Sequence, residues 1–205
     1  DKVILHTHRC IDYIIIFDPA TGSFTQQPTR GPCPSSRGLH AATAVNDRTI
    51  CLFGGAAQDQ AMSNETFLLD TNTWTWTKLD STKHCPSPRA GPCMACWKNS
   101  SVLMFGGAEV TDQGLNPKSD LWKLDISSKT WELLAEDGPP ARNAATLTSV
   151  GSDSFLLTGV VLLLSFSQAL HSHFVKAQGT SVGPAAHGRM GRRKATLRNI
   201  APEQI

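Results

Sequence analysis

Two short apolar runs decide the fold, and each of them ends in a glycine pair. Residues 49–55 read TICLFGG and residues 101–107 read SVLMFGG, so the pairs Gly54-Gly55 and Gly106-Gly107 stand 52 residues apart. A diglycine after a buried strand permits positive φ and a close approach of the backbone to its neighbours. The recurrence of the whole motif indicates an internal repeat.

Two further sets of residues recur in the same register. Three arginines each precede a glycine of the motif by 17 residues: Arg37, Arg89 and Arg142 precede Gly54, Gly106 and Gly159. Three aspartates each close an apolar run and are followed six residues later by an aromatic residue: Asp18, Asp70 and Asp125 are followed by Phe24, Trp76 and Trp131. Independent spacings that agree over three copies establish the repeat.

Each repeat contains four short runs typical of β-strands, rich in Val, Ile, Leu, Phe, Thr and Trp and bounded by turn residues. The predicted strands are 40–45, 49–55, 66–70 and 75–79 in one unit, and 91–97, 101–107, 120–125 and 130–134 in the next. No stretch up to residue 159 shows a sustained helical period. The repeat region is therefore predicted to be all-β.

This pattern resembles the kelch repeat, in which an apolar strand ends in Gly-Gly and a later Leu-Asp is followed by Trp. The matching residues are Gly54, Gly55, Asp70 and Trp76 in one copy and Gly106, Gly107, Asp125 and Trp131 in the next. The resemblance covers about residues 11–159. It implies a β-propeller built of four-stranded antiparallel blades.

In such an array each recurring residue has a structural role. The outer-strand tryptophans, Trp76 and Trp131, offer large apolar area for the face where one blade lies on the next. The repeat arginines can donate hydrogen bonds to backbone carbonyls or to an acidic residue of a neighbouring blade. A structural role is therefore favoured for the arginines over a partner contact.

The chain divides into a repeat region, 1–159, and a different segment, 160–205. The repeat region is predicted to hold a half blade at 11–28, blades at 37–79 and 89–134, and a half blade at 142–161. Propellers close with about four to eight blades, so three blade equivalents leave edges open. This predicts either a fragment of a longer propeller or edges covered by another chain, including edge-to-edge self-association.

The second segment differs in charge and pattern. Residues 1–159 hold 13 Lys and Arg against 16 Asp and Glu, whereas residues 160–205 hold 6 against 1. The second glycine of the third copy is replaced by Val160, and no kelch element follows. We hypothesise that 160–205 stems from an alternative exon, a retained intron or a reading-frame change, with a short apolar stretch followed by a basic, disordered tail.

The composition also bears on membranes, nucleic acids and location. The apolar run 155–166 has 12 residues, fewer than the about 20 that a spanning helix needs, so no membrane span is expected. The basic cluster 189–194 has no interleaved aromatic residues for base stacking, and no nucleic-acid partner is expected. The predicted location is cytoplasmic, with a nuclear location as the alternative that this cluster allows.

No arrangement of residues points to catalysis. Six cysteines are present, and Cys93-x-x-Cys96 is a single pair without a second pair at zinc spacing. No nucleophile stands at a recognisable spacing from a base, and there is no phosphate loop. The sequence thus predicts no metal site, no cofactor and no enzymatic activity.

A protein-interaction module is the predicted function, because recognition in repeat folds resides in variable loops on a constant scaffold. The longest variable loops, 56–64 and 108–119, directly follow the glycine pairs. The candidate contact residues, expected to be exposed, are Asp59, Gln60, Asn64, Asp112 and Gln113. The kelch resemblance leaves two alternatives open: a fragment of a kelch-superfamily enzyme, and the substrate-recognition part of a ubiquitin-ligase adaptor.

Overall fold

The computed structural model describes residues 3–5, 13–80 and 84–159, with backbone alone for 3–5. Every regular element in these ranges is a β-strand, which confirms the all-β prediction. No helix in the described ranges is long and apolar enough to cross a bilayer. The predicted segment 160–205 and its basic cluster lie outside the described residues.

Fifteen strands are present in the described part of the chain, arranged as four successive repeat units with one inserted hairpin. The first unit contains β1 (Val3–Leu5), β2 (Tyr13–Asp18) and β3 (Ser23–Pro28). The second contains β4 (Ala41–Asn46), β5 (Thr49–Phe53), β6 (Thr66–Asp70) and β7 (Thr75–Lys78). The third contains β8 (Cys93–Trp97), β9 (Ser101–Phe105), β12 (Leu121–Asp125) and β13 (Thr130–Ala135). The insertion is β10 (Ala108–Thr111) with β11 (Gly114–Pro117), and the fourth unit contains β14 (Thr146–Ser149) and β15 (Phe155–Thr158).

The second and third units are complete antiparallel sheets in which the strands pair in chain order. The registers match as well, since Thr49 is opposite Asp70 in one sheet and Ser101 is opposite Asp125 in the other. All eight predicted strands are present, with ends shifted by two residues or fewer. The four-stranded blades of a kelch propeller are thereby confirmed.

The first unit holds three strands where the sequence predicted the last two. Strand β1 pairs antiparallel with β2, placing Val3 opposite Phe17 and Leu5 opposite Ile15. It occupies the second-strand position that β5 and β9 hold in the complete units. The run was missed because it is three residues long and has no glycine pair after it to mark its end.

The segment 108–119, predicted as a loop, is largely a β-hairpin. Strands β10 and β11 pair from Ala108 opposite Pro117 to Thr111 opposite Gly114. Gly114 has φ of 107°, a conformation that favours glycine and lets the chain reverse there. The prediction of a loop was wrong, because the hairpin is an insertion in one unit and no second copy marks its strands.

The units lie side by side through their first strands: β4 is adjacent to β8, and β8 to β14. Between units, the outer-strand tryptophans fill the space. Trp131 of the third unit meets Phe53 of the second edge to face, with ring centroids 5.3 Å apart. Trp76 of the second unit packs in a cluster with Ile14 of the first. The core therefore lies between units as well as within them.

Candidate protein-binding loop face

The site is built on one end of the units, where the glycine pairs, the loops after them and the inter-unit loops meet. We call this end the loop face; it comprises residues 31–40, 54–64, 84–92, 106–119 and 136–145. Backbone bridges join these loops, for example Gly38 to Ala56 and Ala90 to Ala108. The turns at the other ends of the strands, such as the turn at Asp47, lie opposite.

The repeat arginines explain the spacing of 17 residues. Arg37 Nη1 donates to the carbonyl oxygen of Gly54 at 3.4 Å, and Arg89 Nη1 donates to that of Gly106 at 3.0 Å. Arg142 Nη1 repeats the bond to Gly159 at 3.4 Å. Each side chain thus joins the start of its unit to the end of the second strand.

The second glycine of each pair continues this link into the next unit. Gly55 N–H donates to the Arg89 carbonyl at 2.9 Å, and Gly107 N–H donates to the Arg142 carbonyl at 3.0 Å. A Cβ on Gly106 would lie 2.5 Å from the Arg142 carbonyl oxygen, so a side chain cannot be accommodated without movement. Alternating side-chain and backbone bonds therefore connect three units beneath the loop face.

Arg89 is the most enclosed of the three arginines, with 1% of its surface exposed. It makes a two-pronged ion pair with Asp120, at 2.7 Å to Oδ1 and 3.0 Å to Oδ2. Trp122 Nε1 donates to the same carboxylate at 2.7 Å. Burial alone would raise the pKa of Asp120, but the hydrogen bonds from Arg89 and Trp122 and the nearby positive charge hold it below its ordinary value.

Arg37 has a similar arrangement with Glu65, whose other oxygen accepts from Lys78. Burial would raise the pKa of Glu65, but hydrogen bonds and charges of Lys78 and Arg37 outweigh it and lower the pKa to about 2. In both complete units the acidic partner belongs to the same unit as the arginine. The sequence had also allowed an acidic partner from a neighbouring blade. The residue immediately before the third strand supplies the acidic partner each time.

Arg142 differs from the other two arginines. It is half-buried, and in the described part of the chain its guanidinium donates to carbonyl oxygens alone, those of Pro140 at 3.0 Å and Gly159 at 3.4 Å. The described residues provide no ion pair for it. The reason is that the fourth unit, as described, has no third strand from which an acidic residue could come.

The candidate residues of the first loop fall into two groups. Asp59 and Gln60 are exposed at the loop tip, where Asp59 Oδ1 accepts the Ala61 N–H at 3.1 Å and Gln60 adopts φ of 67°. Asn64 is half-buried instead, and its Nδ2 donates to Cys85 Sγ at 3.5 Å. The expectation that Asn64 is exposed was therefore wrong, because it lies where the loop returns to the sheet and meets the inter-unit segment.

The remaining candidates, Asp112 and Gln113, form the tip of the β10–β11 hairpin. Both are exposed, and the turn is closed by Thr111 Oγ1 donating to the Gly114 carbonyl at 2.9 Å. Val110 beside them is 56% exposed. The hairpin thus presents two polar groups and one apolar side chain that the fold does not use. Val110 was not among the predicted residues, although its place next to the turn could have suggested it.

The two buried cysteines, Cys51 and Cys93, are unsuited to nucleophilic chemistry. Burial raises the pKa of Cys51 to about 12 and that of Cys93 to about 11. Cys96 Sγ donates to the Val45 carbonyl at 2.9 Å, so the two thiols of the C-x-x-C pair have separate backbone acceptors. Across the described ranges no group of three or more His, Cys, Asp or Glu side chains could hold a metal ion.

These features define a class of protein: a β-repeat array with propeller-type blades, in which hydrogen bonds join the units beneath one face and the loops on that face differ in length. The sequence profile of the KLHDC2/KLHL20/DRC7 Kelch-repeats domain matches residues 5–172, which is more than half of the chain. The chain therefore belongs to the kelch-repeat family. The matched range extends past Gly159 into the segment that the sequence placed outside the repeats.

Individual proteins show the same similarity. Acyl-CoA-binding domain-containing protein 4 of Arabidopsis thaliana is 30% identical over 146 residues, 70% of this chain and 21% of that protein. Kelch domain-containing protein 2 of Bos taurus is 32% identical over 126 residues, 62% of this chain and 30% of that protein. The F-box/kelch-repeat protein At1g51550 of Arabidopsis thaliana is 26% identical over 149 residues, 69% of this chain and 30% of that protein. The chain thus corresponds to less than a third of each of these relatives.

Proposed function

We propose that this chain is a non-catalytic protein-interaction module whose loop face binds a protein partner. Kelch repeats generally serve as protein-interaction modules, and the chain belongs to that family. One observation of the site supports the proposal most directly. The two loops after the glycine pairs project exposed polar tips, Asp59 with Gln60 and Asp112 with Gln113, from the same face.

The scaffold beneath these tips is suited to recognition because buried hydrogen bonds hold its units together. Arg89, 1% exposed, and the glycine pairs bind three units together directly below the loops. A loop held at both ends by such a platform loses little conformational entropy on binding, which favours affinity. A partner that contacts both tips must match their spacing on two neighbouring units, which adds specificity.

Charge reversal at the tips tests the proposal. The variant Asp59→Lys/Asp112→Lys changes one exposed carboxylate on each loop and leaves Gln60, with its positive φ, unchanged. The matched control is Asp47→Lys/Glu132→Lys, which makes the same change of net charge at two exposed carboxylates outside the loop face. Both proteins are compared with the original by chemical cross-linking and mass spectrometry of bound partners, after circular dichroism has verified folding.

We expect the double variant to lose specific partners by at least tenfold in recovery, and the control to retain them. Retention of every partner by the folded double variant would refute the loop face as the binding surface. Equal loss in the control would refute it too, because the effect would then follow net charge and not position.

The finer alternative, substrate recognition within a ubiquitin-ligase adaptor, has one observation in its favour: the similarity to a protein whose name combines an F-box with kelch repeats. It predicts that a partner bound through Asp59 and Asp112 is turned over faster when this chain is expressed. The half-life of the partner is measured by following its abundance after translation is blocked. An unchanged half-life would count against the adaptor role and leave the binding role intact.

The cytoplasmic location also stays a prediction, open to microscopy of the tagged chain.

A further inference from the structure

A serine stands two residues before the repeat arginine in both complete units. The pairs are Ser35 with Arg37 and Ser87 with Arg89. In each pair the arginine Nη2 donates to the serine Oγ at 2.7 Å. Both arginines are buried. A hydroxyl group of the loop face is therefore held directly against a charge that belongs to the scaffold.

The two serines differ in their exposure and in the partner of the hydroxyl proton. Ser87 is half-buried, and its Oγ donates to the carboxylate of Glu109. Ser35 is exposed, and among the described residues no carboxylate is hydrogen-bonded to its Oγ. An enzyme that modifies hydroxyl groups can therefore reach Ser35 without first breaking a bond to a carboxylate.

The backbone around Ser35 is also open to an enzyme. Residues 31–36 have no regular structure, and four of these six residues are exposed. Within the described part of the chain, none of them is hydrogen-bonded to another backbone group. Pro34, which is buried, keeps the middle of the segment on the protein. An enzyme can bind such a segment in extended form without breaking a strand ladder.

The charges near Ser35 favour an added negative group. Arg37 and Lys78 both pair with the carboxylate of Glu65. Two cations thus meet one anion, which leaves one positive charge in excess. A phosphate opposite an arginine forms charge-assisted hydrogen bonds that are stronger than those of a hydroxyl.

The corresponding network in the third unit is already balanced. Arg89 pairs with Asp120 at 2.7 Å. Glu109 lies 3.9 Å from Arg89 and 3.5 Å from Lys118, so two carboxylates match two cations. A negative group on Ser87 would meet Glu109, which accepts the hydroxyl proton of that serine. The repeat therefore supplies a matched position at which the same modification is disfavoured.

We propose that Ser35 is a phosphorylation site and that its phosphate binds the guanidinium of Arg37. A protein kinase transfers the terminal phosphoryl group of ATP to the serine. The bond between Ser35 Oγ and that phosphorus forms, the bond from the phosphorus to the bridging oxygen of ATP breaks, and ADP leaves. The hydroxyl proton passes to a base of the kinase.

The phosphate changes the loop face and leaves the scaffold bonds in place. Its oxygens accept from Arg37 Nη2, which donates to the hydroxyl in the unmodified chain. Arg37 Nη1 keeps its bonds to the Gly54 carbonyl and to Ser63 Oγ, and Glu65 keeps Lys78. The loop face gains about 1.5 to 2 negative charges at pH 7. The modification is independent of what the loop face binds.

The first test asks whether the modification occurs. The chain is expressed with an affinity tag in cultured eukaryotic cells treated with a phosphatase inhibitor, and its tryptic peptides are analysed by mass spectrometry. Trypsin releases Ser35 in the peptide 31–37 and Ser87 in the peptide 84–89, which is the matched control. We expect phosphate on Ser35, at a level at least tenfold above that on Ser87, and none at this position in Ser35→Ala. A peptide 31–37 without phosphate, phosphate on Ser36 instead, or equal levels in the two peptides would overturn the proposal.

The second test asks whether Arg37 binds the phosphate. Phosphoserine is introduced at Ser35 or at Ser23 by genetic encoding, and phosphorus NMR follows the loss of its second proton. Ser23 is exposed and its Oγ contacts Thr21 Oγ1, so it provides the reference. A neighbouring cation lowers the pKa of an acid, and the pKa of the phosphate on Ser35 should lie about one unit below that on Ser23. Equal pKa values would overturn the binding to Arg37.

Thermal melting compares the two repeat positions. Phosphoserine at Ser87 lies against Glu109, so it should lower the melting temperature by about 3 °C or more relative to phosphoserine at Ser35. An equal or larger decrease with phosphoserine at Ser35 would contradict the proposed difference in charge between the two networks.

Discussion

Replacing Arg89 by alanine tests the network beneath the loop face most severely. The side chain donates to both oxygens of Asp120, at 2.7 and 3.0 Å, to the carbonyl of Gly106 at 3.0 Å, and to Ser87 Oγ at 2.7 Å. Arg89 is 1% exposed and the Asp120 side chain is 11% exposed, so both charged groups are largely removed from water. The substitution therefore leaves a buried carboxylate whose remaining side-chain donor is Trp122.

The expected loss in free energy of unfolding follows from the buried Asp120 carboxylate that has lost its ion-pair partner. Removing one member of a buried ion pair costs about 3–5 kcal/mol, because the desolvation of the other is no longer compensated. The same position in the fourth unit gives a matched control. Arg142 is half-buried and donates to carbonyls alone, so Arg142→Ala should cost about 0.5–1.5 kcal/mol per net hydrogen bond lost.

Urea unfolding, followed by tryptophan fluorescence and extrapolated to water, measures both variants. A double variant, Arg89→Ala/Asp120→Ala, completes the cycle and should recover part of the loss, because neither charge is then buried alone. A loss below about 1 kcal/mol for Arg89→Ala would refute the claim that the pair is buried and coupled. A loss equal to that of Arg142→Ala would refute it as well.

Three further predictions concern other parts of the scaffold. Gly106→Ala should lower stability by more than Gly22→Ala in thermal melts, because its Cβ would lie 2.5 Å from a carbonyl oxygen, while nothing lies within 4 Å of one on Gly22, whose φ of 67° matches the 66° of Gly106; equal losses would contradict this. The pKa of Glu65 is lowered from 4.5 to about 2, so its contribution is complete above pH 4.5 and is lost as the pH falls towards 2. Exposure and screening reduce that contribution to about 1 kcal/mol. Glu65→Gln should flatten the dependence of stability on pH in this window, and an unchanged slope would contradict the assignment. Finally, Cys51 is 0% exposed and its burial raises the pKa to about 12, so iodoacetamide at pH 8 should label it only when the chain unfolds; labelling that is fast in the native state would contradict its burial.

The repeat spacing predicted the eight strands of the two complete units to within two residues at their ends. It succeeded because each recurring residue performs a local task that depends on sequence separation. The offset of 17 between Arg89 and Gly106 is a hydrogen bond across one unit, and the aspartate before each outer turn caps it, as Asp125 Oδ1 does by accepting from Ser128 N–H at 2.8 Å. Such bonds recur at the same offset in every copy, and a single sequence therefore displays them.

The site was predicted less completely, because loops do not repeat. The hairpin at residues 108–117 is an insertion specific to one unit, so no second copy could support it. Asn64 was placed at the surface because it ends the variable loop 56–64, yet its amide meets Cys85, 21 residues away. Glu65 and Asp120 were missed as arginine partners, because loops of different length separate them from Arg37 and Arg89, by 28 and 31 residues.

What the sequence by itself determined is the unit: strand order, glycine pairs, arginine positions and the family. These features depend on contacts between residues within about 50 positions of each other, so they recur at the same spacing in each repeat. Only the tertiary structure decided how units are joined. The Gly55 N–H bond to the Arg89 carbonyl and the packing of Trp131 on Phe53 connect different copies, and equivalent residues in a repeat look alike whether or not a neighbour covers them. Phe24 shows the physical reason: its position matches that of a buried tryptophan, but its exposure depends on whether another sheet lies against it.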